Sequence, residues 1–151
     1  NEEIMGWHML NNRSVTLHRG NDSIVLIGVE NWGLPPFPKY GKLAEAYPAL
    51  NDSTFKILLS HNPLHWRHEV IPYSNIDLTL SGHTHAMQLK LGWKGFEYSL
   101  AEPMYPEWSG LYVEPDQNQK LYVNEGIGCV FLPMRIGARP EVTVITLKKA
   151  T

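Results

Sequence analysis

Two stretches decide the fold of this chain: Phe55–Pro63, which reads FKILLSHNP, and Ile76–His85, which reads IDLTLSGHTH. Each begins with a short, mostly apolar run, Phe55–Leu59 or Ile76–Leu80, and continues into a polar turn. Apolar runs of this length are typical of strands that are buried on both faces, as the parallel strands of α/β sheets are. The two stretches therefore predict neighbouring strands in the interior of an α/β domain.

Three histidines follow these predicted strands. His61 comes after the first strand, and His83 and His85 come after the second, with Gly82 allowing a sharp turn between strand and histidines. Ligands in parallel α/β sheets bind at the carboxyl ends of the strands, and imidazole is the side chain that most often binds metals. The three histidines are therefore candidate metal ligands. A His-x-His pair also occurs by chance in loops that bind nothing, and both interpretations remain open at this point.

The rest of the chain predicts further strands and short helices around a long loop. Leu91–Pro115 is rich in Gly, Trp, Tyr and Pro, which predicts a loop with little regular structure. The order of the elements indicates a mixed α/β sandwich. The other predicted elements are strands at Ser14–His18, Ile24–Val29, Leu111–Glu114, Lys120–Asn124 and Val142–Leu147, and helices at Lys39–Tyr47 and Leu64–Val70.

Composition excludes several classes of protein. The chain has 151 residues, enough for one domain, with 13 Lys+Arg against 15 Asp+Glu, so no concentrated basic surface predicts nucleic-acid binding. No apolar run approaches the roughly 18 residues of a membrane span. The single cysteine, Cys129, cannot form an internal disulfide, so it does not indicate whether the compartment is oxidising or reducing. The chain begins with Asn1 rather than Met.

Several side chains of the later half have two possible roles. The helix predicted at Leu64–Val70 carries His65 and His68 on one face, either lining a cleft or facing solvent. Arg135 and Arg139 could reach a phosphate or cap strand ends. The aromatic residues could line a substrate cleft or pack as a small additional core; they are Trp93, Tyr98, Tyr105, Trp108 and Tyr112.

The two stretches also resemble a known family. Leu58–Pro63 and Ile76–His85 are similar to the last two signatures of the calcineurin-like metallophosphoesterases. The likeness continues through Gln88, Leu121–Gly128 and Pro133–Val142, and the last of these is typical of a bacterial, often membrane-tethered branch of phosphohydrolases. Upstream, Leu10–Val15 and Ile27–Glu30 match that branch as well, so the resemblance covers nearly the whole chain.

The resemblance implies a fold and a metal centre. The fold would be part of a four-layer α-β-β-α sandwich with mixed sheets. The site would hold two divalent ions (Mn, Fe or Zn), His61 and His83 binding one and His85 the other. A hydroxide bridging the ions would attack the phosphorus of a phosphomonoester or phosphodiester, which makes the family hydrolases: phosphatases and phosphodiesterases.

Two departures from the family pattern limit what the resemblance implies. Many relatives have two glycines after the last histidine, whereas this chain has Ala86-Met87 before Gln88. Met87 and Gln88 are therefore candidates for the substrate pocket, and His65, from the predicted helix that could line a cleft, is a third candidate. The earlier signatures, Asp-x-His, Gly-Asp-x-x-Asp/Asn and Gly-Asn-His-Asp/Glu, are absent from residues 1–151, so no catalytic residue is assigned.

These observations lead to a primary and an alternative hypothesis. The primary one is that residues 1–151 are the C-terminal portion of a single metallophosphoesterase domain and are inactive alone. Its substrate would be a phosphoester small molecule or lipid, and its parent protein a candidate for a membrane tether. Without the N-terminal portion, one apolar face of the domain would be exposed. Self-association, or a companion chain carrying that portion, would cover this face. The alternative is a non-enzymatic module with one ion bound by histidines, or with no metal.

Overall fold

The computed structural model describes residues 3–49, 52–93, 96–130 and 132–149. Strands dominate these ranges, and the helical elements are short. None of the helices in these ranges has the length and apolar character needed to cross a bilayer. The strands are β1 Arg13–Arg19, β2 Asp22–Gly28, β3 Phe55–Leu59, β4 Leu78–Ser81, β5 Lys90–Trp93, β6 Phe96–Ser99, β7 Gly110–Glu114 and β8 Gln119–Val123; the helices are α1 Leu43–Ala46 and α2 Ile71–Tyr73, with a π-helical segment at Trp66–Val70 and 3-10 turns at Glu3–Met5 and His85–Gln88.

One mixed sheet organises the molecule. Its six strands lie in the order β1-β2-β3-β4-β8-β7. The four central strands are parallel, and an antiparallel strand lies at each edge. The hairpin β1-β2 turns at Gly20, whose φ of 61° falls in the region that glycine enters without steric cost. The mixed α/β prediction is confirmed, and β3 and β4 are neighbours as their apolar runs indicate.

The hydrophobic core lies on one face of this sheet. Val25, Ile27 and Leu58 project from the central strands toward Leu43 of α1 and Trp66 of the π-helical segment, and all of these side chains are buried. Alternation along each strand sends every second residue to this face. The short helices are therefore stable through packing against the sheet, since isolated helices of this length are not stable in water.

The opposite face of the sheet carries apolar side chains that the described residues leave exposed. The strand register places six of them on this face, all between 38 and 60% exposed: Val15, Leu17, Phe55, Leu59, Leu111 and Val113. The described ranges thus contain helices on one side of a mixed sheet. The four-layer sandwich stays a prediction.

Two predicted elements are wrong, and a third is shorter than expected. The region Leu91–Pro115 is not a continuous loop, because β5 and β6 form an antiparallel hairpin within it, though residues 94 and 95 lie outside the described residues. The segment Val142–Leu147 forms no strand, because its backbone pairs with no described strand. Apolar alternation shows that a segment suits a sheet, but a strand also needs a neighbour for its backbone hydrogen bonds.

The helix predicted at Lys39–Tyr47 is reduced to the single turn of α1. The backbone N–H groups of Tyr40 and Gly41 both donate to the carbonyl of Asn31, at 2.9 and 3.1 Å, which holds this part of the chain against the preceding loop. Gly41 also lies so close to Glu30 that a side chain would collide with the Glu30 carbonyl. These contacts prevent the helix from beginning before Leu43.

Candidate metal centre

The three candidate histidines lie at one edge of the sheet. β3 and β4 are parallel neighbours, and His61 and His83 each follow the end of one of them by two residues. The backbone N–H of Gly82 donates to the carbonyl of His61 at 3.1 Å, which joins the two turns. The juxtaposition of the carboxyl ends of the two strands therefore brings the imidazoles together.

His61 and His83 form a close pair. His61 Nε2 and His83 Nδ1 are 3.2 Å apart, and the two rings meet edge to face. On its other side, His83 Nε2 lies 2.7 Å from the Tyr105 hydroxyl. If His83 donates from Nε2 to that hydroxyl, its Nδ1 lone pair faces His61.

The pKa values of both members of the pair lie below the usual value for histidine, which favours the neutral form. Burial lowers the pKa of His61 and of His83 below the usual value for histidine, because the charged form loses hydration. Charge repulsion from His85 lowers the pKa of His61 further, and repulsion from His61 and then from His85 lowers that of His83. Neutral imidazole is the form that binds metal ions.

His85 lies beside the pair with one ring nitrogen unsatisfied. Its Nδ1 is buried and has no hydrogen-bond partner among the described residues. Burial lowers its pKa, and the guanidinium of Arg135 lowers it further. Gly126 packs against the ring so closely that a Cβ there would lie 3.1 Å from His85 Cε1. A buried polar atom without a partner costs about 1–3 kcal/mol, which makes Nδ1 a candidate donor to a metal ion.

The residues present fit part of a metal centre. They offer three neutral imidazoles, one of them with a buried free nitrogen. Within the ranges that the structure describes, no three His, Cys, Asp or Glu side chains converge on a single ion position. The assignment of His61 and His83 to one ion and His85 to another stays a prediction.

The turn that carries His85 has an unusual backbone. His85, Ala86, Met87 and Gln88 all have positive φ, between 44 and 58°. Residues with a Cβ lose about 1–2 kcal/mol each in this left-handed conformation, which glycine adopts freely. Ala86 and Met87 therefore occupy positions that suit glycine.

Neighbouring groups hold this left-handed turn in place. Ser99 Oγ donates to the carbonyl of Ala86 at 2.5 Å. Ala86 is fully buried in a small cluster with Ala101, Trp108 and Ala138. Tyr105 packs against the same cluster and also contacts His83, so this one aromatic residue contributes both to packing and to the histidine site.

Gln88 anchors a second loop rather than presenting free polar atoms to the pocket. Its Nε2 donates to the carbonyls of Leu132 and Met134 at 2.8 and 2.7 Å, and its Oε1 accepts from the N–H of Val130. Arg135 fastens the base of the same loop by donating to the carbonyls of Glu125, Gly126, Gly128 and Ala138. Phosphate binding and capping were both open for Arg135 from the sequence, and the hydrogen bonds described for its guanidinium run to backbone carbonyls.

His65 lies elsewhere than the sequence predicts. It is fully buried and lines neither of the two cavities beside the candidate histidines. Its Nδ1 lies 2.8 Å from Ser60 Oγ and its Nε2 lies 3.1 Å from Glu69 Oε2. Both ring nitrogens are therefore used inside the protein, and the ring stacks on Trp32. His65 lies just before the π-helical segment and faces inward, whereas His68, within that segment, is exposed.

Two cavities adjoin the histidines, and His83 lines both. The larger has a volume of about 490 Å³, and the smaller about 420 Å³. Met87 and Gln88 lie on the larger one, where the sequence predicts a substrate pocket. The larger cavity is lined by His83, Thr84, His85, Met87, Gln88, Leu89, Leu100, Val130, Leu132, Met134 and Ile136; the smaller is lined by Asn31, Gly33, Leu34, Phe37, His61, Asn62, His83 and Tyr105.

Comparison with known proteins finds relatives along most of the chain. A transmembrane protein with a metallophosphoesterase domain from Danio rerio is 36% identical over 136 residues, which is 87% of this chain. An uncharacterized metallophosphoesterase of Bacillus subtilis is 39% identical over 101 residues, 66% of this chain. A UDP-2,3-diacylglucosamine pyrophosphatase of Chlamydia trachomatis is 32% identical over 144 residues, 92% of this chain.

The match covers only part of each relative. The aligned region spans 30, 33 and 41% of the lengths of these three proteins, in the same order. No protein-family profile matches the chain, and no solved structure matches it.

Proposed function

Because the chain belongs to the calcineurin-like metallophosphoesterases, we propose that it supplies His61, His83 and His85 to a dinuclear metal centre that hydrolyses phosphomonoesters or phosphodiesters. The observation that carries the proposal is the His61–His83 pair at adjacent strand ends, with His85 close beside it. In this proposal, His61 Nε2 and His83 Nδ1 bind one ion and His85 contributes to the other.

The metal ions and the protein would have different roles in the hydrolysis. Two divalent ions, when bound, would neutralise phosphate charge and make water nucleophilic at neutral pH. Partial desolvation lowers the pKa values of the three imidazoles, although His61 and His83 keep exposed surface, so protons compete less for the ligand nitrogens. Tyr105 orients His83, and the bare backbone of Gly126 leaves room for the His85 ring.

We further propose that these residues are the C-terminal portion of the domain and do not hydrolyse phosphoesters alone. Three neutral imidazoles cannot balance the charge of two divalent ions, which needs carboxylates. Within the described residues no such cluster forms, and the family's Asp-containing signatures are absent from residues 1–151. A segment outside this sequence would supply those ligands.

The test is hydrolysis of an aryl phosphate ester with Mn(II), by the 151-residue chain and by a longer protein that carries the first three signatures. We expect turnover only from the longer protein, and a loss of at least about 100-fold for His83→Ala. His68→Ala is the matched control, because His68 is exposed and lies outside the site. Robust turnover by the 151-residue chain would contradict the proposed division of ligands.

The same histidine pair also supports the non-enzymatic alternative. His61 and His83 are close enough to share one ion, and a Zn site of three His ligands and a water would need His85 as the third ligand. Calorimetric titration with Zn and Mn distinguishes the two functions. Tight binding of one Zn, with no hydrolysis by the longer protein, would favour the alternative.

The names of the relatives suggest a substrate class and a membrane location for the parent protein, and both are proposals for this chain. One relative is named for a diacylated sugar-nucleotide substrate and another as a transmembrane protein. A small phosphoester or a phosphorylated lipid, and a membrane-tethered parent, are consistent with both names.

A further inference from the structure

The larger cavity beside the histidines has an amphipathic lining. Six of its side chains are large, apolar and between 39 and 59% exposed: Met87, Leu100, Val130, Leu132, Met134 and Ile136. Exposed apolar side chains gathered on one concave surface are typical of a site that binds something apolar. Its volume of about 490 Å³ lies within the usual range for small-molecule sites.

The candidate polar contact of this lining for a ligand is a metal ion held by the histidines, because both ring nitrogens of His83 already face His61 and Tyr105. The lining also contains Thr84 and Gln88, but both are engaged in the protein. Thr84 Oγ1 donates to the carbonyl of Trp108 at 2.7 Å, and the Gln88 amide is engaged by the backbone of Val130, Leu132 and Met134. His85 Nδ1 is buried without a partner. The cavity thus joins the candidate metal ligands to a surface of hydrocarbon.

Hydrogen bonds hold the backbone of the described residues that carry the apolar wall. Gln88 bonds the backbone of Val130, Leu132 and Met134, and Arg135 bonds the carbonyls of the preceding Glu125, Gly126 and Gly128. A preformed wall reduces the entropy lost when a flexible ligand binds. The two methionines in the lining adapt to apolar groups of different shapes.

We propose that this cavity binds the aliphatic chain of the substrate, so that the enzyme acts on a phosphoester of a lipid with its phosphate at His83 and His85. This inference rests on the proposed function and narrows its substrate class. The two ends of such a molecule match the two parts of the lining, phosphate at the histidines and hydrocarbon against the loop.

The test is a calorimetric titration of the protein with ethyl, butyl, hexyl and octyl phosphate in the presence of Mn(II). Burial of each methylene contributes about 0.8 kcal/mol, so Kd should fall about fourfold per added methylene until the cavity is filled. We expect octyl phosphate to bind at least about tenfold more tightly than ethyl phosphate. Octanol should bind more weakly than octyl phosphate.

Two variants locate the binding. Leu132→Asn should remove most of the increase in affinity from ethyl to octyl phosphate. Leu111→Asn is the matched control and should keep that increase. The two leucines are 59 and 60% exposed, but Leu111 lies on the open sheet face. Met87→Asn should also remove part of the gain. Asparagine tolerates positive φ, so this second variant removes apolar surface without a folding penalty.

Three results would overturn the inference: affinity independent of chain length, equal losses in Leu132→Asn and Leu111→Asn, or octanol binding as tightly as octyl phosphate. The aryl phosphate assay separates these from a failure of the proposed function. Hydrolysis of the aryl ester without any effect of chain length on affinity would support the proposed phosphoesterase activity and contradict the proposed lipid substrate. Affinity that depends on chain length, without hydrolysis by the longer protein, would contradict the proposed phosphoesterase activity.

Discussion

Tyr105 shows how one hydroxyl can determine what a histidine offers to a metal. It lies 2.7 Å from His83 Nε2, on the side of the ring opposite His61. Burial raises the pKa of Tyr105, so its hydroxyl stays protonated at neutral pH. A partner on the outer nitrogen of a ligand histidine fixes both the tautomer and the ring orientation.

Replacing Tyr105 should therefore disturb the pair without unfolding the protein. In Tyr105→Phe we expect His83 to change from one dominant tautomer to a mixture, read from the ¹⁵N shifts of its ring. In the longer protein we expect metal affinity to fall by roughly tenfold. Tyr98→Phe is the control, because Tyr98 lines neither cavity. An unchanged tautomer and unchanged metal affinity would show that Tyr105 does not orient His83.

At the scale of elements, the left-handed turn at 85–88 is the segment where sequence and backbone disagree most. Four successive residues with a Cβ adopt positive φ there. Such conformations persist only where surrounding contacts enforce them. The hydrogen bond from Ser99 and the burial of Ala86 provide that enforcement, and the turn in turn places Met87 and Gln88 on the cavity.

Relieving this strain should stabilise the protein. We expect Met87→Asn to raise the free energy of unfolding by about 0.5–1 kcal/mol, because asparagine adopts left-handed backbone more readily than methionine. Urea denaturation measures the change. The control is Met104→Asn, an exposed methionine whose φ is not positive, for which no gain is expected. Equal effects of the two substitutions would show that the turn stores no strain.

At the scale of the whole molecule, the open face of the sheet is the feature with the largest consequence. Its six exposed apolar side chains lie opposite the helix-covered face. Apolar surface of this extent on one side of a domain tends to be covered by a partner. We propose that the 151-residue chain alone associates with itself through this face.

Light scattering at micromolar concentration should show dimers or larger species. The double variant Leu17→Lys/Leu111→Lys should shift the chain toward monomer, because each lysine adds charge to the buried contact. Tyr73→Lys is the control, an exposed aromatic on α2. A monodisperse monomer of the unsubstituted chain would rule out this association.

The sequence was informative where a local pattern carries its own physical meaning. The apolar runs predicted β3 and β4, and the histidines after them were expected at one sheet edge, where the structure places them. It was uninformative where distant partners decide the outcome. The β5-β6 hairpin was hidden by a loop-like composition, and Val142–Leu147 has the pattern of a strand without a described strand beside it.

By itself, the sequence determined the α/β class, the family and the three candidate metal ligands, because periodicity and motif spacing are properties of neighbouring residues. Tertiary structure alone decided which polar side chains face the site. His65 turned inward to Ser60 and Glu69, Gln88 was committed to the backbone of a loop 42 to 46 residues away, and Tyr105 came to lie against His83. The physical reason is that a buried polar group must find a hydrogen-bond partner, and only the folded chain determines which partner lies within reach.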